Sequence, residues 1–425
     1  MEIASLGLLL GVAILLIAQA VFVVRFRRLM QTHSTPAAEP APAAETAGLP
    51  SVAIVMAVRG TDPFLRQSLD RLLNQEYPDF NILIVVDSQS DDAWNAIEEA
   101  QASDDQGRIQ VEVLRNPART CSLKNSALLQ AIATLDEDRE VVAFFDGDVL
   151  PSTTWLRDLT APLADPAVGA VTGNRWYTPG CEQRKWGSAV RYLWNTGAVV
   201  QMWVNRMVWA GSMAIRRSAL REDGLVDIWR RSMSTDSVVF SAMKKQGLRV
   251  AYAHEVMMLN REEIALPQFT RWVSRQLTMA RLYHPKWFMV VGQTAGIAAI
   301  QLGGLALAVA SVATQQWGAL GMSLLAVALY WAVSLLFALM IEQGVRVQLA
   351  RQGEQPNWSI LKTVPRLAIA MIVTNTIFPA LMLVAATTRR VVWRGIAYDV
   401  NGPFQIQRGD YRPFRHSAPQ TDTVV

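Results

Sequence analysis

Four stretches of the chain, residues 4–24, 289–313, 319–341 and 367–387, carry no charged side chain, and each is long enough to cross a lipid bilayer. A hydrocarbon core about 30 Å thick takes roughly twenty apolar residues in a helix, because no water is there to satisfy an open backbone. Helices buried in a water-soluble core are a poor alternative for runs of this length and purity. The chain therefore reads as held in a membrane by its first segment and by a later block of about three. Composition agrees: 51% of the residues are hydrophobic and only 18% are charged, an apolar excess for a soluble enzyme.

Charge placement gives the expected orientation. Arg25, Arg27 and Arg28 follow the first segment, where a cleaved signal would carry its positive charges ahead of a shorter core. Residues 1–28 thus read as an uncleaved transmembrane anchor whose C-terminal side faces the cytoplasm. Residues 29–50 are a Pro/Ala-rich linker. The connection 314–318 is uncharged and suits the outside, whereas 342–366 carries Arg346, Arg351, Lys362 and Arg366 and suits the cytoplasm. The tail, residues 389–425, conflicts with this scheme. Four full spans would put it outside, yet it holds Arg389, Arg390, Arg394, Arg408, Arg412 and Arg415. Either the last segment is broken or re-entrant at Pro379, or the charge rule fails here. The Ala-rich composition and short loops point to a bacterial inner membrane.

A formal charge of +4 is small for 425 residues, and the basic residues gather beside the apolar segments, so nothing suggests a nucleic-acid partner. Cys121 and Cys181 are the only cysteines. They form neither a metal-ligand pattern nor a disulfide framework, which fits a reducing, cytoplasm-facing domain.

That domain is expected over 51–285. Val52–Val58, Ile82–Val86, Ile109–Leu114 and Val141–Phe145 read as strands, separated by helical patterns over Asp62–Glu76, Ser90–Ala102 and Ser122–Leu135. Alternation of continuous apolar strands with helices predicts a parallel sheet covered on both faces. Ligands of such sheets bind at the carboxyl ends of the strands. Asp87 and Asp146 fall at two such ends. An Asp there can equally form a turn or cap a helix, but the pair Asp146/Asp148 stands in apolar surroundings, Phe144-Phe145 before it and Val149-Leu150 after it. Two carboxylates so close repel unless a cation or a shared proton relieves them. Hard oxygen ligands and a phosphate partner point to Mg2+ or Mn2+; the four histidines, His33, His254, His284 and His416, are too scattered for a zinc site. Neither a GxxxxGK[ST] nor a GxGxxG loop is present, which argues against an NTPase or a dinucleotide enzyme. Lys124 opens the third helix, where it either meets a diphosphate with the helix dipole or is simply solvated. The aromatic stretch Trp186–Trp209 suits a headgroup-level surface helix or aromatic core packing.

Gly60-Thr61-Asp62-Pro63, Asp87, Asp146-Gly147-Asp148, Gly211-Ser212-Met213-Ala214-Ile215-Arg216-Arg217, Asp236, Gln268-Phe269-Thr270-Arg271-Trp272 and the tail's Trp393-Arg394-Gly395 occur in this order. In these motifs the chain resembles the family 2-type membrane glycosyltransferases of GT-A fold, and within them the branch containing ceramide glucosyltransferases. The resemblance implies an α/β GT-A domain, a Rossmann-like nucleotide-sugar fold, joined to α-helical transmembrane segments over 286–388. It implies a nucleoside-diphosphate sugar as donor and a lipid as acceptor. Asp87 would contact the base or ribose, and Asp146 the nucleotide-sugar. Asp148, with Asp146, would hold the metal. Asp236 would be the general base. Gln268, Arg271 and Trp272 would bind diphosphate and frame the acceptor, with Gly211 and Ser212 at the acceptor side. Thr235 stands where many relatives have a glutamate, and Ser88 where many have a second aspartate. Two other functions fit parts of the pattern: a processive polysaccharide synthase, and a membrane binding protein without catalysis.

Overall fold

The computed structural model describes residues 1–32, 48–180 and 182–414. Most of the expected linker lies outside the described residues, as do His33, Cys181, Arg415 and His416. In chain order the elements are α1 (Glu2–Gln31), β1 (Val52–Val58), α2 (Leu65–Leu73), β2 (Phe80–Val86), α3 (Ala93–Ala102), β3 (Ile109–Val113), α4 (Leu123–Thr134), β4 (Val141–Phe145) and α5 (Trp155–Thr160). There follow β5 (Val168–Tyr177), α6 (Trp186–Asn205), β6 (Ser212–Arg216), α7 (Val239–Lys245), β7 (Arg249–Asn260) and α8 (Leu266–Tyr283). The long helices α9 (Trp287–Ala313), α10 (Trp317–Arg351) and α11 (Ile360–Thr387) come next, then β8 (Arg390–Trp393), β9 (Ile396–Gly402) and β10 (Gln405–Arg408).

β1 to β7 form a seven-stranded sheet in the order β3-β2-β1-β4-β6-β5-β7. Its first four strands are parallel, as the continuous apolar runs predict, and β6 lies antiparallel between β4 and β5. Side chains alternate along each strand. On β1, Val52, Ile54 and Met56 meet Leu65 and Leu69 of α2, while Ala53 and Val55 face Leu123 and Leu128 of α4. Chain order reverses across β1, so the crevice at the carboxyl ends of β1, β2 and β4 lies at a topological switch point. Ser122 caps α4 by accepting the Asn125 N–H at 3.1 Å. α2 starts at Leu65, later than the Asp62-Pro63 signal suggests, and has no side-chain cap. Asp62 instead accepts from Arg394 Nη2 at 2.7 Å.

Among the described residues four helices, α1, α9, α10 and α11, are long and apolar enough to cross a membrane. α1 and α10 run side by side in the same direction: the Ser5 and Ser323 hydroxyls meet at 2.9 Å at one end, and Arg351 donates to the Gln31 and Thr32 carbonyls at the other. α10 continues through part of the expected loop 342–366. Its last turns carry Glu342, which accepts from Arg346 Nε at 2.6 Å and from Trp176 Nε1 of β5 at 2.7 Å.

Of the alternatives for the last segment, α11 removes a break at Pro379, for the helix runs through it. Proline has no N–H for the carbonyl four residues back. That carbonyl, of Asn375, accepts instead from Gln301 Nε2 of α9 at 2.8 Å. Both ends of α11 touch the α/β unit: Arg366 donates to the Gly180 and Lys185 carbonyls, and Arg281 of α8 to those of Ala386 and Thr388. The tail therefore starts against the α/β unit. It forms an antiparallel sheet, β10-β9-β8, whose Val391, Ile396, Tyr398 and Val400 enter the core beside Leu123 and Leu128.

The aromatic stretch is α6 and the loop after it. Tyr192 packs between Trp176 and Trp358, Trp194 against Trp272, and Trp203 against Phe26 of α1. It is the packed seam between the α/β unit and the long helices, and of its tryptophans only Trp186, at its start, is exposed, at 45%.

Candidate active site

Two chambers meet beneath the carboxyl ends of the strands. The first, about 220 Å³, is lined by Arg59, Asp87, Lys124, Asp146 and Asp148 and by Trp272, Arg275 and Arg394. The second, about 400 Å³, opens among α1, α6, α9, α10 and α11, with Phe22, Ile297, Phe337 and Phe378 on its walls. Arg175, Trp209, Asp236 and Gln276 line both.

The polar chamber is built on strand ends. Asp87 follows β2; its Oδ2 pairs with Arg59 Nη1 at 2.5 Å and accepts the Phe414 N–H at 2.8 Å, and its Oδ1 is buried without a partner. Asp146 follows β4 and is bonded to Lys124 Nζ from the first turn of α4. Among the described residues Asp148 pairs with no such cation, and its Oδ1 is also buried and unpartnered. Burial above all, then the Asp146 and Asp62 carboxylates, pushes its carboxyl up to about 7.

Asp236 sits in a loop tied to the start of α4. Thr235 Oγ1 donates to Asn125 Oδ1 at 2.6 Å, and Trp229 Nε1 to the Thr235 carbonyl at 2.8 Å. The Asp236 carboxylate accepts the Ser234 hydroxyl at 2.7 Å, the Ser237 hydroxyl at 3.2 Å and the Ala210 N–H at 3.2 Å. These bonds fix it in the wall between the chambers.

The residues of α8 divide. Trp272, Arg275, Gln276 and Met279 share the helical stripe that faces the polar chamber. Gln268 is used locally, its Oε1 accepting the Ala265 N–H at 2.8 Å as a cap of α8. Arg271 lies on the exposed side, outside the lining. Gly211 and Ser212 lie behind the wall: the Gly211 carbonyl accepts the Asp146 N–H, and Ser212 Oγ accepts Trp155 Nε1 at 2.9 Å. A Cβ on Gly211 would fall 2.2 Å from the Trp209 ring, so glycine is what lets that tryptophan reach the junction.

Arg175, Arg191, Arg275, Arg394 and Glu262 also line it; sequence reasoning named only Arg394, in the Trp393-Arg394-Gly395 motif, and gave it no role in the site. Arg191 pairs with Glu262 at 2.9 Å. The Arg175 guanidinium stacks within 5.0–5.5 Å of the Tyr177, Trp209 and Trp272 rings. Burial, then Arg394 and Arg175, lowers the Arg275 guanidinium to about 10. The signal available for Arg275 was its spacing from Trp272 on one helical face.

The mixed sheet, with carboxylates at the ends of its second and fourth strands, agrees with the expected α/β GT-A fold. The family model for glycosyl transferase family 21 matches residues 12–404, and the chain belongs to that family. Among solved structures it is similar to a mannosyltransferase from Pyrobaculum calidifontis in complex with GDP-Man and Mn2+, with 17% identity over 91% of this chain and 97% of that one and a TM-score of 0.48. A glucosyl-3-phosphoglycerate synthase from Mycobacterium tuberculosis is similar at 14% identity over 57% of this chain and 85% of that one, with a TM-score of 0.36. The same synthase in complex with Mg2+ and uridine-diphosphate gives 15% identity over 57% and 84%, with a TM-score of 0.36. A comparison with curated proteins gives no match.

Proposed function

We propose that the protein is an integral membrane, inverting glycosyltransferase that moves a sugar from a nucleoside-diphosphate sugar, a UDP-hexose by preference, to the hydroxyl of a lipid, ceramide-like or another, to form a glycolipid. The observation that carries this reading is the position of Asp236, which lines both the polar chamber of Asp146 and Asp148 and the apolar chamber among the long helices. A lipid whose chain occupies the apolar side brings its hydroxyl to that carboxylate. The hydroxyl is a weak nucleophile at neutral pH, and Asp236, held by two serine hydroxyls and a backbone N–H, is positioned to receive its proton. One base acting opposite the leaving group inverts the anomeric carbon.

The donor fits the polar chamber. Asp87 stands where the resemblance puts base or ribose, with Lys124 beside Asp146 for the nucleotide-sugar. Trp272, which the resemblance makes a frame for the acceptor, lines the polar chamber, and the solvent-facing placement of Arg271 leaves diphosphate contacts to other cations. Among the described residues no cluster of three or more acidic, His or Cys side chains holds a metal alone. Asp148, with its unpartnered buried oxygen, and Asp146 nevertheless fit Mg2+ or Mn2+, which takes one or two carboxylates and completes its shell on substrate phosphates. When bound, such an ion neutralises the charge of the departing diphosphate.

The α/β unit, 51–285, faces the cytoplasm in this reading. Arg25, Arg27 and Arg28 stand at the end of α1 nearest the unit, and Arg346 and Arg351 at the corresponding end of α10. α1, α9 and α10 cross the bilayer, an inner bacterial membrane on composition, and α11, held at both ends by the α/β unit, lies along the face of the membrane that the unit occupies. Incubation of the purified protein with a labelled donor and lipid vesicles tests the function. A lipid carrying one sugar is expected. A ladder of products would show a processive synthase, and label released only as free sugar would remove the lipid from the account.

A further inference from the structure

The cations of the polar chamber are almost all committed. Arg59 pairs with Asp87, Lys124 with Asp146, Arg191 with Glu262 and Arg394 with Asp62. Arg175 and Arg275 are different: among the described residues neither forms an ion pair, and Arg275 Nη1 is buried with no hydrogen-bond partner. Rings stack on both, and Asp148, whose carboxylate acts on each from the same chamber, pairs with neither among the described residues. Trp393 lies 5.3 Å from the Arg275 guanidinium, and three rings box that of Arg175. Two guanidinium groups that repel each other inside a buried chamber leave a large electrostatic cost unless an anion joins them.

Building on the sugar-transfer reading, we propose that Arg275, with Arg175 beside it, is a catalytic residue that binds the diphosphate of the donor and stabilises it as it leaves. In the transfer step the bond between the anomeric carbon and the β-phosphate oxygen breaks, and its electron pair stays on that oxygen. The acceptor oxygen forms the new bond to the same carbon and gives its proton to Asp236. The charge thus grows on the β-phosphate. A guanidinium already desolvated and unpaired meets that charge with a fork of N–H donors matched to phosphate geometry, and no carboxylate has to be displaced first. Arg275 lies one helical turn beyond Arg271, on the face of α8 that Trp272 and Met279 turn to the chamber. The leaving-group cation on this helix is therefore displaced from the position that the motif alone suggests.

The test compares binding of UDP with UMP, and GDP with GMP, to full-length protein in detergent, with Mn2+ and with chelator. Arg275→Met should weaken the diphosphate by about 10-fold or more and the monophosphate by less than about 3-fold, in both buffers. Arg275→Lys should recover part of the loss, because an ammonium restores charge but not the fork. Arg175→Met should show the same split, and the melting temperature identifies any variant that has merely unfolded. Equal losses for the two nucleotides, or none, would overturn the proposal. Failure of the unaltered protein to bind any nucleoside diphosphate would overturn the transfer reading with it.

Discussion

Replacing Asp148 by Asn removes the charge at the centre of the polar chamber and should make the empty protein more stable as pH rises. Burial first, then Asp146 and Asp62, raises the Asp148 carboxyl to about 7 from 3.8. A folded-state acid held that high supports the fold fully only below the unfolded value, near pH 4, and the support is lost as pH climbs through 7. At about 1.36 kcal/mol per pH unit the whole gap corresponds to roughly 4 kcal/mol, and water entering the chamber screens it to roughly 2 kcal/mol. For an α/β unit of this size that is a change of about 4 °C or more in melting temperature. The assay is thermal melting of full-length wild type and Asp148→Asn in one detergent, with chelator, between pH 5 and 8.5. The amide carries its own cost, but that offset does not vary with pH, so the difference between the curves isolates the charge. The variant should gain on the wild type up to about pH 7 and then run parallel to it. Mn2+ with UDP should then stabilise the wild type more than the variant. A pH-independent difference, or one that shrinks as pH rises, would refute the reasoning.

Gln301→Ala leaves the Asn375 carbonyl of α11 without a donor and should cost about 1–3 kcal/mol. In a Pro379→Ala background, where the backbone N–H is restored, the same change should cost far less, and a double-mutant cycle of melting temperatures reads the coupling. Arg394→Ala breaks the pair with Asp62 and leaves that part-buried carboxylate unpaired, a loss of about 2–3 kcal/mol. The tail sheet should then open, which limited trypsin digestion detects as faster cleavage after Arg408, where Gly409 follows.

Those residues also mark how far the sequence could be read. β1 and β4 match their expected limits because continuous apolar runs in a doubly covered sheet leave little choice of boundary. The convergence of Asp87, Lys124, Asp146, Asp148, Asp236 and Trp272 on one chamber was legible as well, since strand ends and motif order both point there. Arg271 and Arg275 could not be separated by motif, because only the packing of α8 decides which flank of the helix turns inward. Whether α11 breaks at Pro379 could not be decided from sequence, because the remedy, Gln301, lies on another helix and is invisible to local propensity. The tail showed its charges but not its sheet, for β8 and β10 are too short to carry a period. Their strands are held by the core of the α/β unit that they cover.

The central claim is that Asp236 takes the acceptor proton between a donor chamber and a lipid chamber. Its most direct test is to measure, on the same preparation of Asp236→Asn, the transfer of labelled sugar to lipid and the binding of the intact donor. The account predicts transfer lower by at least about 100-fold, with donor affinity within a few-fold of wild type. Transfer that persists near the wild-type rate, or donor binding that disappears together with transfer, would contradict it.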